Sequence, residues 1–284
     1  MGDATSRVET PGGPIEIRTV GQGTTVLFVH GLMVNGHVWD PLIDRLRDRF
    51  LLVLPDLPLG GHRLALRPDA DCGLAAHAER VIEIARQLTG PVVLVGSDTG
   101  GAIAQMAVTR EPELFDRLVL LPSDAFDNCP PKLLTPMRWL AGVPGAIRGA
   151  VFAMRLEVIV RATMKLVSRR RSESAFLDEL LGSLRSDRGV QRDFVKLLQG
   201  LRPEVTNAVA AELPKFRRPV LIAWSRKDPL FPLEHAHRLA EAFPDASVVI
   251  AENSRAFISI DEPEWLADRI TEFAGPDRPG TEQQ

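Results

Sequence analysis

An apolar run, Val92-Val93-Leu94-Val95, stops abruptly in the polar turn Gly96-Ser97-Asp98-Thr99-Gly100, and a helical stretch follows from Gly101 to Arg110. A strand that becomes a helix within so few residues has few backbone solutions. Glycines must flank the turn so that the chain can pass close to its neighbours, and the residue at the tip is pushed into a strained, exposed conformation. Gly96-x-Asp98-x-Gly100 has that spacing, with Asp98 at the tip. Ser97 is one residue out of frame, so its hydroxyl points elsewhere. The positive end of the following helix favours a charged carboxylate at Asp98, and chemistry is expected there.

Taken in order, the chain alternates strands and helices around this turn. Segments near Arg7-Val8-Glu9 and Ile15 to Val20 alternate about Pro11-Gly12-Gly13-Pro14 and read as an antiparallel edge pair. Thr24 to Val29 is a buried strand running into His30-Gly31-Leu32. Helical spacing from Trp39 to Asp48, the strand Leu51 to Leu54 and a helix near Leu74 to Leu88 lead to the turn. Arg117 to Leu121 is the next strand and stops at Pro122-Ser123-Asp124. The pattern resumes with Pro219 to Trp224, a helix near Leu233, the strand Ser247 to Ala251 and a last helix opened by Asp261-Glu262-Pro263. Such alternation predicts an α/β fold with a mainly parallel central sheet and helices on both faces. Between Asn128 and Leu213 only helical spacing is found, broken by Pro130-Pro131, Pro144, Gly182 and Pro203. The expected organisation is a core of 1–127 and 214–276, an inserted helical cap of 128–213, and a disordered tail of 277–284.

Composition narrows the partners. With 34 basic and 37 acidic residues the net charge is −3, which argues against nucleic acid, and Arg169-Arg170-Arg171 reads as a solvated helix end. Met1-Gly2-Asp3-Ala4 shows no secretory pattern and no apolar run nears spanning length, so a cytoplasmic protein without membrane attachment is expected. Cys72 and Cys129 read as free thiols, no ligand spacing predicts a metal, and no cofactor is expected. The partner is a small-molecule substrate. Oligomeric state is not legible.

Four segments carry a family resemblance: His30-Gly31, Pro55-Asp56, the Asp98 turn, and Trp224-Ser225-Arg226-Lys227-Asp228-Pro229. Together they resemble the capped α/β-hydrolases of the group containing haloalkane dehalogenases and epoxide hydrolases, over roughly Arg18 to Ala274. The resemblance implies Asp98 as nucleophile, backbone N–H groups of Leu32 and Thr99 as an oxyanion hole, and Asp228 or Asp124 as the acid of a triad. It also implies a histidine shortly before the last helix. Here that segment reads Glu252-Asn253-Ser254-Arg255-Ala256-Phe257, with alanine in the expected place. His62 is the best substitute. His77, His235 and His237 read as helix-surface residues, and His30, more often structural than catalytic in such proteins, is a candidate substrate contact with Trp39, Trp139 and Arg255. Trp39, Trp139 and Asn35 are candidate replacements for leaving-group donors, while a chain with no tyrosine cannot polarise an epoxide in the usual way.

Three functions follow. The first is a hydrolase that acts through Asp98 on a small, largely apolar molecule with an atypical base. The second is a cofactor-free lyase, isomerase or cyclase using Asp98 with Asp124 and Asp228 for proton transfer. The third is a non-catalytic ligand-binding protein. If the three carboxylates converge without imidazole, they share a proton that rests mainly on Asp124 or Asp228, unless the Arg255 guanidinium enters and neutralises one of them.

Overall fold

The computed structural model describes residues 4–154, 156–170 and 174–275; the expected tail at 277–284 and Arg171 lie outside the described residues. β1 (Ala4–Thr10) and β2 (Gly13–Gly21) pair antiparallel across the Pro11-Gly12 turn. After them come β3 (Thr24–Val29), α1 (Asp40–Leu46), β4 (Phe50–Pro55), α2 (Leu74–Arg86), β5 (Val92–Asp98), α3 (Thr99–Arg110) and β6 (Arg117–Ser123). Six helices then run without a strand among the described residues: α4 (Thr135–Ala141), α5 (Ala146–Ala153), α6 (Glu157–Val167), α7 (Ser174–Ser186), α8 (Arg188–Gly200) and α9 (Pro203–Ala210). The alternation closes with β7 (Val220–Ser225), α10 (Leu233–Ala242), β8 (Ala246–Ala251), α11 (Ile258–Asp261) and α12 (Pro263–Ala274). None of the described helices is long and apolar enough to cross a membrane.

The eight strands form one sheet in the order β1-β2-β4-β3-β5-β6-β7-β8. β2 meets β4 antiparallel, and every later pairing is parallel. From β3 the chain moves outward to β4 and then reverses, so that β5 lies on the other side of β3. Right-handed crossovers in opposite directions place their helices on opposite faces of a sheet. α1 therefore covers one face, joined by α12, and the packed pair α2 and α3 covers the other. The reversal point, between the carboxyl ends of β3 and β5, is where an open parallel sheet forms a crevice. All seven residues of β5 are buried, and its Val92 to Val95 run leaves no face for water, which is why this strand takes the centre.

The inserted helices are tied to the sheet by polar groups as well as by apolar packing. α8 buries Val190, Phe194, Leu197 and Leu198 at helical spacing and is capped by Asp187, which accepts from the N–H groups of Gly189 and Val190. Asn35, buried after β3, donates to the carbonyls of Gly61 (3.2 Å) and Glu179 (2.9 Å), the latter on α7. Asp193 on α8 accepts from Leu66 N–H at 2.7 Å and meets His62 Nε2 at 3.4 Å. Two surface expectations are corrected here. His77 is fully buried beside Arg80, and His235 is 7% exposed under the Phe126 ring, because each falls on the inward stripe of its helix.

Glycine is required at position 100. A Cβ there would run into the carbonyl oxygens of Val29 and His30 at the end of β3. Those oxygens belong to backbone in the middle of the sheet and cannot yield. Gly100→Ala is expected to cost about 3 kcal/mol or more, seen as a large drop in melting temperature. A wild-type melt would show that β3 and α3 are not in the contact described.

Candidate active site

Leu32, Asp98, Asp124 and Asp228 follow or end β3, β5, β6 and β7, all parallel, so the sheet delivers them to its carboxyl edge. The backbone at Asp98 has φ 56° and ψ −133°, outside the regions open to most residues. A conformation of this kind costs on the order of 1–3 kcal/mol and persists only when its surroundings impose it. Gly31 lies so close to the Asp98 side chain that any β-carbon would clash with it, and Asp124 N–H donates to the Asp98 carbonyl at 3.3 Å. Met33, which the sequence did not single out, also has positive φ, at 62°.

The N–H groups of Leu32 and Thr99 converge on one atom, Asp98 Oδ1; the Leu32 bond is 3.4 Å and that from Thr99 is short. The amide pair that the resemblance implies as an oxyanion hole thus holds one oxygen of the carboxylate itself. Asp98 lines a cavity of about 70 Å³ together with Leu32 and Met33 from the core and Val160, Met164 and Leu181 from the insertion, an almost wholly apolar wall. Burial pushes the Asp98 carboxyl up to about 6, against the lowering effect of its amide partners.

Asp124 and Asp228 stand beside it, each with one oxygen bound and one orphaned. Asp124 Oδ2 accepts from the Thr99 hydroxyl at 2.9 Å, so Thr99 serves Asp98 with its amide and Asp124 with its side chain. Asp228 Oδ1 accepts from the N–H groups of Leu230 (2.8 Å) and Phe231 (3.3 Å), an Asx-type turn. Asp124 Oδ1 and Asp228 Oδ2 are buried without a partner. An ionised oxygen so placed is costly, and a proton on it removes the cost. Burial, reinforced by the Asp98 charge, holds Asp124 well above the usual carboxylate range, and burial raises Asp228 to about 7.

The remaining candidates separate by position. Ala256 is completely buried and its neighbour Phe257 lines the cavity, so the loop expected to carry histidine reaches the site with only apolar side chains. His62 is turned away, its Nδ1 accepting from Gly60 N–H at 3.3 Å while Nε2 meets Asp193. His30 accepts from Leu57 N–H at 2.9 Å through Nε2 and contacts the Gly31 carbonyl through Nδ1; burial lowers it to about 4, and its position braces the loop below Asp98 rather than a substrate. Trp39 packs on Phe28 in the core, and Trp139 is 70% exposed, so neither reaches the cavity as a substrate contact. Arg255 forms no ion pair with the three aspartates among the described residues; it lowers Asp228 only at a distance, and its backbone bonds to Ser225 and Asp261. Asp261, read from sequence only as the opening of the last helix, is a buried clasp that accepts from Ser168 Oγ (2.6 Å) and from Arg169 N–H (2.8 Å) at the end of α6. Among the described residues no group of His, Cys, Asp or Glu is arranged to hold a metal.

An eight-stranded, mostly parallel sheet with an elbow at the end of its central strand defines the α/β-hydrolase class, and residues 24–263 match the alpha/beta hydrolase fold family model. The chain belongs to that family. Among its relatives is a pimeloyl-[acyl-carrier protein] methyl ester esterase of Vibrio vulnificus, 28% identical over 265 residues, covering 91% of this chain and 97% of the relative. An uncharacterized protein of Mycobacterium tuberculosis is 26% identical over 279 residues, covering 94% of this chain and 80% of its own. The haloalkane dehalogenase DbeA of Bradyrhizobium elkani superposes with a TM-score of 0.79 at 16% identity, covering 95% and 97% of the two chains, a likeness of fold.

The carboxylates also set a stability expectation. A carboxyl whose folded value is raised stabilises the fold fully below about 3.8 and loses that contribution as pH rises through its folded value, about 7 for Asp228. Asp228→Asn keeps an acceptor for Leu230 and Phe231 but removes the buried charge. The variant is expected to melt above wild type at pH ~8, by an amount worth on the order of 2–4 kcal/mol, with the difference vanishing near pH ~4. Equal melting temperatures at both pH values would remove the burial argument.

Proposed function

We propose that the protein is a hydrolase whose attacking group is the Asp98 carboxylate, acting on a small, largely apolar molecule that carries a leaving group on saturated carbon. The observation that carries this reading is the division of labour at Asp98. Oδ1 is held by the amides of Leu32 and Thr99, whereas no amide among the described residues is aimed at Oδ2, and the carboxylate lines an apolar cavity. Oδ2 attacks the carbon, the C–O bond of an ester forms, and the leaving group departs with its electron pair. Water then adds to the ester carbonyl carbon. The negative charge that develops on Oδ1 is met by the two amides already aimed at it. Collapse expels the product alkoxide, which takes up a proton, and Asp98 is restored.

The second step needs a base, and Asp228 is the best placed carboxylate for it. Its free Oδ2 and its value near 7 let it take a proton from water at neutral pH. Asp124, held protonated and bonded to Thr99, acts as a neutral neighbour that keeps the negative charge on Asp98. The helical insertion serves as the cap. A cavity of about 70 Å³ holds roughly two waters' worth of volume, so a larger substrate enters when the α6 wall moves outward.

A second reading, proton transfer without a covalent ester, is favoured by the alanine at position 256. Removing imidazole from the site while keeping three carboxylates of separated acidity leaves an acid beside a base. Mass spectrometry of the intact protein after exposure to a haloalkane series separates the two. An alkyl adduct on Asp98 is expected in wild type, absent in Asp98→Asn and accumulating in Asp228→Asn, whose second step is blocked. Turnover should rise with pH through about 6 to 7, since both Asp98 and Asp228 must be ionised. Turnover of a substrate with solvent hydrogen incorporated into the product and no adduct in either enzyme would give the site to the second reading.

A further inference from the structure

All eight exposed large hydrophobic side chains of the described chain fall between Leu133 and Leu166. Trp139 on α4 is 70% exposed, Phe152 on α5 66%, and Val158 on α6 72%. A soluble surface rarely gathers its apolar side chains in one stretch, and such a gathering marks an interaction site. The same stretch is strongly basic. Residues 132–171 contain nine lysines and arginines and a single acidic residue, Glu157, in a chain whose net charge is −3. Arg138, Arg148, Lys165 and Arg170 have no carboxylate partner among the described residues, while Arg161 is engaged by Glu157. α4 packs on α5, and Leu156 and Val158 are exposed at the start of α6.

α6 divides this surface from the site. Its Val160, Thr163 and Val167 line the Asp98 cavity, and its Val158, Ala162 and Lys165 line an open outer groove of about 670 Å³ that also includes Arg169 and Arg170. Aromatic and aliphatic side chains interleaved with unpaired cations are what an element lying in the headgroup layer of a bilayer presents, the apolar groups entering the acyl boundary and the cations meeting phosphate. We infer that the α4–α6 face docks on an anionic phospholipid membrane, independently of which reaction Asp98 performs. A soluble acidic protein could use the same cations and apolar side chains, and is the alternative occupant that the test separates.

Flotation of the whole protein with vesicles tests this. Partition is expected onto phosphatidylcholine vesicles containing phosphatidylglycerol, weakening with salt, and not onto phosphatidylcholine alone. Trp39 and Trp224 are buried and Trp265 on α12 is half-buried, so the part of a blue shift of tryptophan emission on binding that is lost in Trp139→Phe, which still partitions, reports Trp139. Trp139→Ser combined with Phe152→Ser should lower partition at least about tenfold, since roughly two aromatic side chains of buried area are removed. Arg138→Glu and Arg148→Glu should each lower it about fivefold or more. Trp139, Phe152 and Arg148 are exposed and Arg138 is half-buried, and unchanged melting temperatures establish that the variants fold. No partition, equal partition onto both vesicle types, or binding to polyglutamate without binding to vesicles would each overturn the proposal.

Discussion

The whole site depends on one strained residue being held in place from both sides. Asp98 keeps a positive φ because β5 is locked between β3 and β6, and because Gly31 and Gly100 let the backbones of β3 and α3 approach more closely than any side chain permits. The strain is small beside the burial that imposes it. Fully burying a residue of the size of Val or Leu contributes about 1.5–3 kcal/mol, and four such residues, Val92 to Val95, precede the turn. The sheet therefore determines the position of the carboxylate, and the carboxylate has little freedom to choose its partners.

That fixed position has an electrostatic consequence. Three aspartates brought to one sheet edge beneath an apolar wall lose their water, and the amides present suffice for only part of their oxygens. Asp98 receives two backbone N–H groups on one oxygen, Asp228 two on one oxygen, and Asp124 a single hydroxyl. Burial raises all three, to about 6 for Asp98 and about 7 for Asp228, and for Asp124 the Asp98 charge adds to it. Where an imidazolium would compensate the charge, Ala256 and Phe257 offer none.

How much of this was legible depended on whether the deciding contacts were local. The turn at Asp98 is encoded within a few residues, since glycine spacing and an apolar run suffice to specify it, and so were the edge hairpin and the strand ends carrying Leu32, Asp124 and Asp228. His62 was misplaced because its partner, Asp193, is 131 residues away on α8, and nothing in its own loop announces that contact. Trp139 shows the same limit: a tryptophan in an insertion at helical spacing reads as pocket lining or as the insertion's own core, and the packing of α4 leaves it 70% exposed instead. Asp261 was read as a helix opening because Pro263 follows it. Its carboxylate is instead taken by the backbone at the end of α6, a contact no periodicity could reveal.

The Asp261 clasp matters for how the insertion can work. α6 is held at its carboxyl end by Asp261 and by the bond from Phe257 N–H to the Val167 carbonyl at 2.9 Å, so the same loop that supplies Phe257 to the cavity anchors the cavity's outer wall. Its amino end is exposed at Leu156, Glu157 and Val158. Glu157 and Arg161 tie that end to Ser174 at the start of α7, so both ends of α6 are held by polar contacts. An outward movement of the α6 wall would leave Asp98, its two amides and Asp228 in place, because none of those groups is borne by the insertion.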